Sequence, residues 1–207
     1  MMMNKIVLIS LFLPTAFQLT WASCNNSLIT QKAYFDVAIG NEYWGRIVVG
    51  LLGDTTPITV LNFATFASNH NNKGYSGTIF NRVYTNMAIQ GGDILFNNGS
   101  GSTSIFNGGE DFPDENFYFS NDRGFIGMAN RGANTNGCQF FINLAQNTFL
   151  NNIYVVFGKV LSGLDVVDKI ASLPLDDKGV PLVPATIVGS GTFHPKEPFP
   201  VPIGTYF

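Results

Sequence analysis

The sequence predicts a mainly β fold, an antiparallel barrel with two short helices over its open ends. Three observations point there. Short strand-like runs dominate the chain, only two stretches carry helical spacing, and no strand–helix–strand alternation of the kind that builds a parallel sheet is present. Composition agrees with one compact core: among 207 residues, hydrophobic types make up 45% and aromatic types 14%, with 19 Phe. Charged residues reach only 12%. Low charge with many Phe favours collapse over disorder.

The elements follow in order. Residues 32–40 alternate Tyr34, Asp36 and Ala38 against Ala33, Phe35, Val37 and Ile39, the period of a strand with one buried face. Gly40 and Asn41 make a turn, and 45–52 is the returning strand of a hairpin. Thr56 and Pro57 open a helix, with the Thr hydroxyl as its cap and Pro at the first helical position. Val60, Leu61, Ala64 and Ala67, with Phe63 beside them, supply its apolar face up to about Asn69. A single strand is expected over 79–89. The loop 91–121, rich in Gly, Ser and Asn, is long enough to carry function. Three short strands follow at 124–129, 138–144 and 155–160. Ser162 is expected to cap a second helix, with Asp165 as its capping-box partner and Leu164, Val167, Ile170 and Leu173 as its stripe. A last strand covers 186–193.

Residues 1–23 differ in kind. Lys5 is their only charge, 6–17 is a nearly continuous apolar run, and Ala22 and Ser23 offer small residues for cleavage. This is the order of a secretory signal, and the run is too short to cross a bilayer. The expected organisation is a signal peptide at 1–23, an extension at 24–31, one domain at 32–193 and a proline-rich tail at 194–207. The expected address is exported, either periplasmic or secreted. Cys24 directly follows the small residues, so a lipid anchor through that thiol is the alternative. Alternating Pro in the tail favours an extended segment, loosely packed or docked on the chain itself or on a partner.

Several chemistries are excluded. A formal net charge of −3 gives no basic face for nucleic acid. The two His, His70 and His194, fall in a polar loop and in the tail, which leaves no His for a nucleophilic triad. No His and Cys cluster suits zinc. Asp111, Asp114 and Glu115 read as a solvated acidic loop. The remaining signal is a set of uncharged polar and apolar groups around Arg82. That residue and Gln90 are expected to share one face of one strand. Gln139 and Phe141 point one way along their strand while Phe140 points the other.

The segments FNRV (80–83), QGGD (90–93), GMAN (127–130), TNGCQFFI (135–142) and VVFGKV (155–160) resemble the cyclophilin family of peptidyl-prolyl cis-trans isomerases, in that order and spacing. The likeness runs over nearly all of 33–193. It implies an eight-stranded antiparallel closed barrel capped by two helices, an isomerase of X–Pro bonds, and no metal or cofactor. By resemblance Arg82 is the catalytic residue. Gln90, Ala129, Asn130, Arg131, Gln139, Phe141 and Leu150 match residues of the substrate cleft, and Asn98 and Gly99 match its neighbouring loop. Met87 and Ala88 stand where the family usually has Phe and Met. Phe149 stands where many members have Trp and bacterial secreted members often have Phe, which implies a secreted, bacterial-like variant. Tyr154 stands where His is common, and Asn81 where His usually precedes the Arg. The implied partners are proline-containing peptides and unfolded exported proteins, met by a monomer with no transmembrane segment. Cyclosporin-type inhibitors are expected to bind weakly, because Phe149 lacks an indole N–H. A proline-peptide binding module or chaperone with little catalysis is the alternative.

Overall fold

In the computed structural model of the chain, residues 27–70 and 73–202 are described. The leader and Cys24, on which the export and lipid-anchor expectations rest, lie outside them. A short strand β1 (Leu28–Ile29) is followed by the long hairpin β2 (Gln31–Ile39) and β3 (Glu42–Leu51). Helix α1 (Pro57–Ala67) precedes a second hairpin, β4 (Arg82–Tyr84) and β5 (Ala88–Gly91). Then come β6 (Phe125–Met128), β7 (Phe140–Asn143), β8 (Val156–Ser162), α2 (Leu164–Ala171), β9 (Ala185–Phe193) and β10 (Phe199–Pro200).

Eight strands form one antiparallel sheet in the order β4-β5-β7-β6-β8-β3-β2-β9. The sheet curls into a barrel whose closure is approximate. Its two outer strands are not joined by a continuous ladder. The run before β4 carries the seam instead, through a bridge from Ile79 to Thr186 and bonds from Phe80 N–H to the Ala185 carbonyl (2.9 Å) and from Ile187 N–H to the Thr78 carbonyl (2.8 Å).

The interior is aromatic. On β2 the alternation holds as far as Val37, with Ala33, Phe35 and Val37 fully buried and Tyr34 and Asp36 outward; Ala38, expected outward, is buried where the register shifts after Val37. Phe35 stacks on Phe140 at 5.3 Å, and Phe63 of α1 meets Phe157 of β8 at 4.8 Å. Such contacts add to the area that each ring buries. The buried Tyr75 satisfies its hydroxyl on the Cys138 carbonyl at 2.8 Å.

Four local expectations are corrected. The run 79–89 is not one strand. It folds back at Thr85 and Asn86, where Met87 N–H reaches the Tyr84 carbonyl at 2.9 Å and Asn86 takes φ +60°. Thr56 does not cap α1 with its side chain, because its hydroxyl donates back to the Leu52 carbonyl. The helix start is served from a distance. Glu115 accepts from the N–H groups of Ile58 (2.9 Å) and Thr59 (2.8 Å) and from the Thr59 hydroxyl (2.6 Å). A carboxylate there meets unpaired donors and the positive end of the helix dipole. The buried face of α1 differs at its edges: Val60, Phe63, Ala64 and Ala67 are buried as expected, Thr59, Asn62 and Phe66 are inside as well, and Leu61 is 56% exposed. Ser162 ends β8 rather than capping α2. The cap position is Gly163, at φ +87°.

The acidic loop is not free either. Asp111 pairs with Arg131, and Asp114 exchanges bonds with Asn134 and Asn136. Among the described residues no cluster of His, Cys, Asp and Glu suits a metal, and no helix is long and apolar enough to cross a membrane.

The proline-rich segment docks on the chain's own surface. β10 pairs antiparallel with β1, and Val201 joins Ile29 and Leu52 in a small second core. Beneath it Lys159 of β8 is 2% exposed, with its ammonium on the Pro202 carbonyl and 4.8 Å from the Phe125 ring centre. Burial pulls its pKa down, against the pull of Asp122.

Candidate active site

Strand register builds the cleft. Arg82 on β4 lies directly opposite Gln90 on β5, Gln90 opposite Phe141 on β7, and Phe141 opposite Gly127 on β6. Directly opposed residues share a face, at a spacing of about 5 Å per strand. Arg82, Gln90 and Phe141 therefore leave three adjacent strands on the same face, in one row across the outer side of the barrel. Arg82 and Gln90 do share a face, but across a hairpin rather than along one strand. Gly127 ends the row for a steric reason: a Cβ there would come within 2.6 Å of the Phe141 ring.

An apolar floor adjoins the row. Ala88, Phe141 and Leu150 form a buried cluster with Met87, Ala129 and Tyr154 packed against it. Tyr154 meets Phe141 edge to face at 5.4 Å. Leu150 and Phe149 come from a single 3-10 turn, Thr148–Leu150. Phe149 projects from that turn and is 63% exposed. The turn is tied to the floor by Asn147, whose Nδ2 donates to the carbonyl of Met87 (2.9 Å) and to Oδ1 of Asn143 (2.8 Å).

On the other side of the row lies a polar pocket of about 90 Å³, lined by Gln90, Gly99, Ser100, Ala129, Asn130, Arg131 and Gln139 among others. Gln139 holds it together. Its Oε1 accepts from Gln90 Nε2 (2.8 Å) and Asn81 Nδ2 (3.3 Å), and its Nε2 donates to the carbonyls of Gly101 (2.6 Å) and Gly99 (3.0 Å). Asn81 is 3% exposed, and its Oδ1 finds no partner. Arg131 reaches Asp111 at 2.8 Å across the pocket rim, and Asn98 is exposed at the edge of the loop.

That loop is organised by Asp93. Its side chain is fully buried and accepts five main-chain N–H groups at 2.9–3.1 Å, from Leu95, Phe96, Asn98, Gly99 and Gly101. Burial alone would raise its pKa, but these donors outweigh it and hold the carboxyl below its ordinary value.

The structure thus brings Arg82, Met87, Ala88, Gln90, Ala129, Gln139, Phe141, Leu150 and Tyr154 together around one surface. Gly99, Asn130 and Arg131 line the pocket beside it, and Asn98 stands next to Gly99 in the loop without lining it. Three contributors were missed by sequence reasoning. Asp93 ends the QGGD segment, and an Asp followed by a Gly-rich and Asn-rich loop is the signal for its turn-binding role. Asn147 and Asp111 gave no local signal.

An open cleft with the Arg82 cation, amide donors and an apolar floor offers a peptide polar contacts on one side and a shelf for an apolar ring on the other. The comparisons with known proteins agree. Residues 34–192 match the family described as "Cyclophilin type peptidyl-prolyl cis-trans isomerase/CLD". The chain is 47% identical over 165 residues to peptidyl-prolyl cis-trans isomerase D of Saccharomyces cerevisiae, covering 79% of this chain and 72% of that protein. It is 42% identical over 175 residues to isomerase B of the same yeast, covering 83% and 84%. It is 43% identical over 173 residues to a rhodopsin-specific isozyme of Calliphora vicina, covering 83% and 73%. The chain belongs to the cyclophilin-type peptidyl-prolyl cis-trans isomerases, and its activity is that isomerisation.

Asp93→Ala strands five N–H groups and is expected to cost about 3 kcal/mol or more, read by urea unfolding. The sign with pH follows from the lowered carboxyl. Its stabilisation is complete above the unfolded-state value and fades as pH falls through the lower folded-state value. The gap between wild type and variant should therefore narrow only in strong acid.

Proposed function

We propose that the protein isomerises X–Pro bonds of exported proteins as a monomer, with Arg82 as the catalytic residue. The single observation that carries the reading is the row in which Arg82, Gln90 and Phe141 stand side by side on one face. Rotation about an X–Pro amide faces a barrier of about 18–20 kcal/mol, because resonance stiffens the C–N bond. No bond is made or broken. The protein has only to bind the twisted amide better than either planar form.

The residues suit that task. As the amide twists, the prolyl nitrogen becomes pyramidal and regains a lone pair. A guanidinium N–H aimed at that nitrogen stabilises it, and Arg stays charged at every working pH. Phe141, Leu150 and Met87 grip the ring while the preceding carbonyl turns. Gln90, fixed by Gln139, and Asn130 hold the chain on either side. Ala88 widens the floor relative to the usual Met, so ring packing is looser than in typical members.

Export is supported by the apolar leader with small residues ahead of Cys24. The secreted, bacterial-like character rests on that leader and on Phe149. If the leader is removed, mass spectrometry of the mature protein should place its N-terminus at or near Cys24, with an added lipid mass if that thiol is acylated. A chain that keeps residues 1–23 overturns the export reading.

Arg82→Ala should keep the melting temperature and lose about 10²–10³-fold in turnover on a short proline peptide, the cost of one preorganised donor. Equal rates would overturn the catalytic reading. Peptide affinity in the wild type without exchange acceleration would favour a binding module or chaperone.

Cyclosporin-type inhibitors should bind weakly and regain affinity in Phe149→Trp, where the exposed position gains an N–H donor. Unchanged inhibition in that variant rules the donor argument out.

A further inference from the structure

Arg82 is long and exposed, and β4 alone does not fix where its guanidinium points. Two contacts do. Its Nε donates to the Lys178 carbonyl at 3.1 Å, and its Nη1 lies 3.4 Å from the Tyr84 hydroxyl. The guanidinium carbon is also 5.5 Å from the centre of the Tyr84 ring. Tyr84 is two residues along the same strand, so both side chains leave it on the same face. Its cross-strand partner is Ala88, the position where Met is usual. A small side chain on β5 is thus matched by a large one on β4.

The Lys178 carbonyl belongs to a turn that follows α2. The Asp176 carboxylate accepts from the N–H groups of Lys178 and Val180, each at 2.8 Å, and Gly179 N–H closes onto the Asp176 carbonyl at 3.0 Å. Val83 N–H fastens the turn to β4 through the Gly179 carbonyl at 2.8 Å. Gly179 has φ +79°, and a Cβ there would stand 2.8 Å from the Val83 carbonyl oxygen and 3.8 Å from Arg82 Cγ. Only glycine lets the turn come this close behind Arg82. The Val180 and Lys178 N–H groups hold the Asp176 carboxyl below its ordinary value, with the Arg82 charge adding to the effect.

An exposed Arg has wide rotamer freedom, whereas a donor that acts on a twisting amide has to be in place before the twist occurs. We propose that Tyr84 and the 176–179 turn are positioning elements that hold the Arg82 guanidinium in one place at the β4 edge of the cleft, an inference that rests on the isomerase reading. Tyr84 acts through Arg82 and does not itself touch the prolyl nitrogen. It supplies one polar contact and one ring face, while the turn supplies a fixed main-chain acceptor from the opposite side.

Three variants test this. Tyr84→Phe keeps the ring and loses the hydroxyl, Tyr84→Ile loses both, and Asp176→Ala loosens the turn. Proline-peptide exchange by NMR separates kcat from KM, and the ¹⁵N–¹H signal of Arg82 Nε reports the held side chain independently of turnover. Tyr84→Phe should lose about threefold in kcat and Tyr84→Ile about 10–30-fold, with KM within about twofold in both. The Arg82 Nε signal should be sharp in wild type and broadened in Tyr84→Ile and Asp176→Ala. A Tyr84→Ile protein with kcat within about twofold of wild type overturns the proposal, as does a raised KM at unchanged kcat. An unchanged Nε signal in Tyr84→Ile and Asp176→Ala overturns it as well. Should Tyr84→Ile lose its fold, Tyr84→Phe and the Nε signal decide the matter alone. An inactive wild type would overturn the isomerase reading, and the Nε signal would still decide whether Tyr84 and the turn hold Arg82.

Discussion

The cleft depends on a buried carboxylate. Asp93 gathers five main-chain N–H groups and so gives a fixed path to a segment with no regular structure. The carbonyls of Gly99 and Gly101 are then presented to Gln139, which in turn fixes Gln90. A loop, a strand end and a cleft side chain are thus joined in one series of hydrogen bonds. Each link is buried or half-buried, so each would be costly to leave unmade. Order passes from the acid to the carboxamide beside Arg82 without any help from regular secondary structure in the loop.

The chemistry explains why such order matters. Amide rotation gains nothing from a base, a metal or a covalent partner, and everything from groups already in position. The barrel supplies this by register. Four adjacent strands each place one residue in the row, and the end residue is glycine so that the Phe141 ring can lie over it. The aromatic interior beneath is stacked and fully buried, which keeps those strands from shifting.

Much of this was legible in the residues. The alternation from Ala33 to Ile39 marks a strand with one buried face, the Gly40 turn marks its return, and Phe140 and Phe141 point to opposite layers as their adjacency requires. The break inside 79–89 was not, because its turn is made by Thr85 and Asn86 without glycine or proline. Asn86 takes a left-handed φ that Asn tolerates better than most residues. The same tolerance gives six Asn a structural reason: among the described residues every non-glycine position of positive φ, from Asn69 to Asn152, is Asn. Long-range partners were equally hidden. Nothing near Thr56 announces that Glu115 will serve the start of α1, and nothing near Asp111 announces Arg131. Leu61 illustrates a further limit. Helical spacing locates the face, but its edges are decided by what α1 lies against, and here Asn62 turns inward to bond the Gly137 carbonyl at 2.8 Å.

The pairing of β1 with β10 sets Leu28 and Ile29 beside Pro200 and Phe199, one strand spacing apart. Neighbouring segments of this kind, one early and one late in the chain, suit circular permutation. A short flexible linker could join residue 202 to residue 27, and the chain could be reopened at the exposed Gly40 turn. Such a rearranged polypeptide would keep every strand pairing of the barrel while changing the order in which they emerge from the ribosome.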